Sequence, residues 1–109
     1  MILLTEALKK QIPLEQDTAD KQATELTVYA KLFLPGHPAT WYVYSWDGKD
    51  ILWVYANLTG DDCCWELGPV ALEELKSLSF MGLKVERDKL FKKCNLQELM
   101  NKIERGERV

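Results

Sequence analysis

Several absences bound what this chain does. Its 109 residues include a single histidine, His37. Any Ser-His-Asp or Cys-His arrangement must use that residue. It stands in the turn "PGHP", where exposure is expected and nothing nearby would fix its tautomer, so catalysis by His37 is not expected. Cysteines are as sparse: Cys63, Cys64 and Cys94. Adjacent Cys63 and Cys64 would bridge each other only with strain, and a third is left over. Free thiols in a reducing compartment are the expectation. These residues and His37 lack the C-x-x-C or H-x-x-x-H spacing of zinc sites. There is no G-x-x-x-x-G-K-[ST] and no G-x-G-x-x-G, so no phosphate-cradling loop is readable. We expect neither metal nor cofactor. No apolar run approaches the roughly 18 residues of a membrane span. The apolar start of "MILLTEALKK" is too short for a secretory signal, and its lysines follow rather than precede it. A cytoplasmic protein is expected.

What is present fits an ordinary globular chain, with 47% apolar and 28% charged residues. Its length suggests one domain, residues 1–109. The net charge of −3 is unevenly spread. Residues 1–83 carry six Lys/Arg against twelve Asp/Glu, whereas residues 84–93 carry five against two. The acidic excess is too small for a DNA mimic. The basic run is short, and such runs are usually solvated faces.

Periodicity divides the chain. Thr5 can cap a short helix over "TEALKKQI", with Leu8 and Ile12 on one face and Pro13 after it. Residues 15–25 are polar and without period, which predicts a mobile loop. From Leu26 the pattern alternates, and Leu26, Val28, Ala30, Leu32 and Leu34 are expected to share one face of a strand. "TWYVYSW", "DILWVYANL" and "CCWELG" read as further strands joined by the turns "DGK" and "TGDD", an antiparallel meander. Pro69 then opens a helix over "VALEELKSL", Gly82 breaks it, and "KVERDKLF" is extended. Asn95 with Glu98 three residues on forms a capping box for the last helix, whose Leu96, Leu99, Met100 and Ile103 line one face. The fold class is α+β: an antiparallel sheet of four to five strands, with an N-terminal, a middle and a C-terminal helix packed on one face.

Some of these stretches carry a resemblance. "LLTEALKKQIP", "AKLFLPGHPATWYVY", "WELGPVALEELKSL" and "MGLKVERDKLF" follow one another as in the bacterial and mobile-element family called domain of unknown function 2958. The likeness covers residues 2–92. Its most specific parts are Lys31-Leu32-Phe33 with Pro35, Thr40-Trp41, Leu67-Gly68, and Gly82-Leu83-x-Val85-Glu86-Arg87-Asp88. The chain departs from the pattern in a short segment at 47–51 and in the Cys63-Cys64 pair. The resemblance implies no activity. It implies a setting in plasmids and phages, where small accessory proteins often oppose host defence.

Two features are candidates for function. "ERD" offers Glu86 and Asp88 as an acid–base pair and Arg87 as an anion clamp. Alternation puts the two carboxylates on one face of an extended segment and Arg87 on the other. The preferred reading of Arg87 is structural: held by a carboxylate or by carbonyls at the sheet edge, with Lys84, Lys89, Lys92 and Lys93 solvated. The second feature is aromatic. Trp41, Tyr42, Tyr44, Trp46, Trp53, Tyr55 and Trp65 fall within 25 residues. Alternation places Tyr42, Tyr44 and Trp46 on one face and Trp41 and Val43 on the other, so both faces of the hairpin are apolar. Three readings compete. Helices and the N-terminal segment cover both faces; or one face binds a protein or a second copy; or it stacks single-stranded nucleic acid. Acidic neighbours such as Asp47, Asp50 and Glu66 disfavour the third. The expectation is a non-enzymatic protein of mobile elements that binds a protein partner, with Tyr42, Tyr44, Trp46 and Arg87 as the binding candidates. A nucleic-acid binder using residues 84–93 is the alternative, and an unrecognised enzyme comes third.

Overall fold

The computed structural model describes residues 2–61 and 64–107. After α1 (Glu6–Gln11) come α2 (Glu15–Thr18), a 3-10 turn (Ala23–Glu25), and strands β1 (Thr27–Val28), β2 (Ala30–Phe33), β3 (Thr40–Trp46), β4 (Ile51–Asn57) and β5 (Glu66–Ala71). The chain continues through α3 (Leu72–Ser77), β6 (Ser79–Phe80), β7 (Leu83–Lys84), β8 (Glu86–Arg87), β9 (Cys94–Asn95) and α4 (Leu96–Glu104). Five strands form an antiparallel sheet in the order β5-β4-β3-β2-β8. Two-stranded pairs β1-β9 and β6-β7 flank it. The α+β class is as expected, and so are the meander and the capped helices at each end. The Thr5 hydroxyl accepts the Leu8 N–H at 3.2 Å, and Asn95 Oδ1 accepts that of Glu98 at 3.0 Å. Gly106 ends α4 with the paired carbonyl bonds of a Schellman motif: its N–H to Ile103 O and that of Glu107 to Lys102 O.

Both faces of the sheet are covered, so the placing of all helices on one face is corrected. On one side Trp41, Val43, Leu52 and Val54 meet Leu3, Leu4 and Ile12 of the N-terminal region, Leu72 and Leu75 of α3, and Val85. On the other, Tyr42 and Tyr55 meet Leu96, Leu99 and Ile103 of α4. Each core is thin, because about a hundred residues split between two layers fill neither generously.

Four local expectations are corrected. Leu26 through Leu34 do alternate in burial, but they do not share a face: Leu26 and Val28 join the α4 side, Ala30, Leu32 and Leu34 the other. The strand breaks at Tyr29, which lets β1 leave the sheet and pair with β9. Residues 15–25 are not a plain loop. Thr18 of α2 is buried and its hydroxyl meets the Ser45 hydroxyl at 3.0 Å, a polar contact that hydropathy does not register. Pro69 does not open the helix. It lies inside β5, where an edge strand tolerates a residue without an N–H. His37 is half-buried rather than exposed: its Nδ1 accepts the Ala39 N–H at 3.1 Å and its ring meets Phe80 edge-on at 5.2 Å. That bond assigns the proton of the neutral ring to Nε2.

Side chains set the turns. Asn57 is buried where β4 ends; its Oδ1 accepts the N–H groups of Thr59 and Gly60, and its Nδ2 donates to Asp61 O. Gly60 has φ +85°, and a Cβ there would lie 2.7 Å from Pro38, so both backbone and space require glycine. In the β3–β4 turn, Asp47 Oδ1 accepts the N–H groups of Lys49, Asp50 and Ile51 at 2.7 to 3.0 Å. These bonds, that from Lys49 foremost, hold the Asp47 carboxyl below its usual range. A lowered folded-state pKa contributes stability above the unfolded value, and that contribution is lost as pH falls. Asp47→Ala should therefore melt below wild type at neutral pH, and the two curves should converge as the solution is acidified through the carboxylate range. A constant gap across that range would show that the charge is irrelevant.

Candidate functional site

Tyr42, Tyr44 and Trp46 do not line one face, which corrects the aromatic surface expected from alternation. The register of β3 on β4 shifts between Val43 and Ser45, so Tyr44 is an inserted bulge residue. Beyond the bulge the phase is reversed. Ser45 faces the α4 side beneath α2, where its hydroxyl also donates to Pro13 O, while Trp46 packs with Trp41 and Val43 on the opposite side. Tyr42 is 1% exposed. Its ring lies 5.8 Å from that of Trp65 and 6.0 Å from that of Phe91, and Tyr55 stacks on Trp65 at 4.9 Å. Burial pushes the Tyr42 hydroxyl well above the usual phenol range, aided by charge at Cys94 and Asp88, and burial also raises Tyr44. Tyr42 is a core residue. Tyr44 and Trp46 are half-buried on opposite sides, and Lys9 Nζ lies 6.0 Å from the Trp46 ring centre.

The "ERD" strand completes the other end of the sheet. β8 pairs with β2, Arg87 opposite Leu32 and Glu86 opposite Phe33. Alternation therefore holds, with Arg87 toward the N-terminal region and Glu86 toward the far side. Arg87 Nη1 donates to Ile2 O at 2.9 Å and to Leu3 O at 2.7 Å. The guanidinium thus straps the N-terminal segment that supplies Leu3 and Leu4 to the core. Asp88 shapes the following turn: its N–H donates to Lys31 O, and its Oδ1 accepts the Leu90 N–H at 2.9 Å. Lys84, Lys89, Lys92 and Lys93 are exposed, and Lys93 also donates to Gln11. Lys31, Phe33, His37, Thr40, Glu86 and Asp88 border an open groove of about 680 Å³. Charges of both signs alternate along it, and nothing there selects one ligand. Among the described residues, no group of three or more His, Cys, Asp or Glu side chains is arranged to hold a metal ion. Cys94 is a free thiol whose pKa is raised by burial; Cys63 lies outside the described residues.

A second groove, of about 580 Å³, runs along β5 and α3, and the sequence reading missed it. Trp41, Val54, Ala56, Val70 and Leu75 form its floor and walls, and Leu58 and Leu78 stand exposed along it. Leu67 touches it only at the strand edge: it pairs with Tyr55, so its side chain turns to the α4 side. Glu66 and Glu74 rim it. The residues come from β3, β4, β5, α3 and the loops beside them, so no single stretch carries the pattern. The outer edge of β5 carries Pro69 where a partner strand would seek an N–H.

No helix of the structure is long and apolar enough to cross a membrane. No curated protein and no solved structure matches the chain. A family model matches residues 3–107, nearly the whole length. The chain belongs to the family described as protein of unknown function DUF2958.

Proposed function

We propose that this chain is a non-catalytic accessory protein of mobile genetic elements that works by holding a protein partner in the groove along β5. The observation that carries the reading is the pair of exposed leucines, Leu58 and Leu78, over an apolar floor with an acidic rim. A contiguous apolar strip that stays exposed on a small soluble chain marks an interaction surface. An apolar centre with a charged rim is the ordinary anatomy of such an interface. The glutamates would repel phosphate, which favours protein over nucleic acid at this place. The plasmid or phage setting rests on the family resemblance alone, and a counter-defence role would follow from the identity of the partner.

Capture from host lysate, with and without nuclease, tests the proposal. Bound protein should survive nuclease and be lost with Leu58→Asp, a change at an exposed position in the loop after β4. The alternative uses the exposed Lys84, Lys89 and Lys92. It predicts capture that nuclease abolishes and that falls steeply with salt, with Leu58→Asp behaving as wild type. That result would overturn the groove.

A further inference from the structure

The groove has a counterpart on the same molecule. At the opposite end of the sheet, beyond β8, the turn at residues 89–90 projects Leu90, which is 89% exposed. Lys89 and Lys92 flank it, both exposed, within residues 84–93, which carry five Lys/Arg against two Asp/Glu. An apolar groove rimmed by Glu66 and Glu74 and a projecting leucine flanked by Lys89 and Lys92 are therefore displayed. The strand order places them at opposite edges, four strand spacings or roughly 19 Å apart. A surface cannot reach its complement within its own chain across that sheet, but it can reach it on another copy. Pairing of strands is disfavoured, because Pro69 interrupts the free edge of β5 and the opposite edge strand β8 spans only Glu86–Arg87. Side chains inserted into the groove remain as the available mode of contact.

We propose that the β5 groove receives the Leu90 turn of a second copy, so that chains associate head to tail. This inference rests on the groove being a protein-binding surface and names its occupant. Leu90 enters between Leu58 and Leu78, and Lys89 and Lys92 meet Glu74 and Glu66. The contact is heterologous, because each copy uses one surface to give and another to receive, and repetition builds open chains or a ring. It is small, so association falls in the weak class, with Kd on the order of 10 to 100 µM. The charged rims make it salt-dependent. The Debye length shrinks from about 30 Å at 0.01 M to about 3 Å at 1 M salt.

Sedimentation of the whole protein over a range of concentration tests this directly. The average mass of wild type should rise with concentration at low salt and fall when salt is raised. Leu58→Asp and Leu90→Asp should each raise the apparent Kd at least tenfold. Both positions are exposed, and circular dichroism should confirm native folding. Mixing the two variants is the decisive step. The Leu58→Asp chain keeps its turn and the Leu90→Asp chain keeps its groove, so an equimolar mixture should form a 1:1 pair and nothing longer. A wild type of single-chain mass at every concentration and salt would overturn the proposal. So would association that Leu90→Asp leaves intact, or variants that fail to recombine. If the chain proves monomeric while Leu58→Asp still abolishes capture of a host protein, only the second-copy inference fails. If Leu58→Asp leaves both properties unchanged, the groove itself is not the binding surface.

Discussion

Arg87→Ala should melt about 10 °C or more below wild type, whereas Lys92→Ala should melt with it. The difference lies in what each side chain holds. Arg87 bonds the carbonyls of Ile2 and Leu3, and Leu3 and Leu4 are each 3% exposed in the core beneath β2 and β3. Hydrogen bonds from a charged donor contribute about 1.5–3 kcal/mol each. The bond to Ile2 is exposed and counts for little; the bond to Leu3 is partly buried, and its loss leaves a carbonyl unsatisfied. We expect about 2–3 kcal/mol in all. At 4–8 °C per kcal/mol for a domain of this size, that loss reaches the stated shift. Lys92 is exposed, and surface substitutions of this kind usually stay within about 0.5 kcal/mol. The damage should also be local. Amide exchange should rise first in residues 3–12, which the guanidinium straps down, and only later in α4 on the far side of the sheet. Uniformly faster exchange, or an unchanged melting temperature, would show that the strap holds nothing.

That reading of Arg87 was available from "VERD" alone, because strand alternation beside an apolar Val85 implies a stem that is covered and a head that needs an acceptor. Alternation likewise located β2, β3 and β4, since Val, Leu, Trp and Tyr at period two permit little else. It failed where backbone geometry departs from a regular strand. Tyr44 reads as another alternating aromatic, yet it is a bulge residue, and one inserted residue sends Trp46 to the opposite face. The two buried hydroxyls of Thr18 and Ser45 that fasten α2 look like surface polarity until they are seen to pair. Pro69 is ambiguous by nature: the missing N–H suits both a helix start and an edge strand, and the choice was made by β4 beside it. The β5 groove was illegible for a different reason. Its leucines at 58 and 78 come to border one groove only through the β-meander and the return of α3, so the site is a property of topology rather than of any motif.

Tyr42→Ala should bring the protein close to unfolding under ordinary conditions, while Tyr42→Phe should retain the fold. Tyr42 is the largest of the fully buried side chains. It faces Tyr55 across the β3–β4 ladder, and Trp65 and Phe91 flank its ring. These rings join the sheet to α4, so truncation opens a cavity in the thinner of two thin cores. Replacing a buried aromatic by alanine costs about 3–5 kcal/mol, a large part of the 5–15 kcal/mol that stabilises a typical domain. The phenylalanine variant keeps the rings and isolates the hydroxyl. Burial raises the Tyr42 pKa above its ordinary value of 10.0, so the folded chain keeps a proton that the unfolded chain releases. Stability is then full below about pH 10 and lost as pH rises beyond it. Tyr44 and Tyr55 are shifted the same way, also by burial, and share this alkaline loss. Tyr42→Phe should therefore show a shallower decline than wild type in denaturant melts from pH 8 upward, without abolishing it. Parallel alkaline limbs for the two proteins would mean that the Tyr42 hydroxyl reaches solvent in the folded state. A Tyr42→Ala protein that melts within a few degrees of wild type would remove the ring from the core assigned to it here.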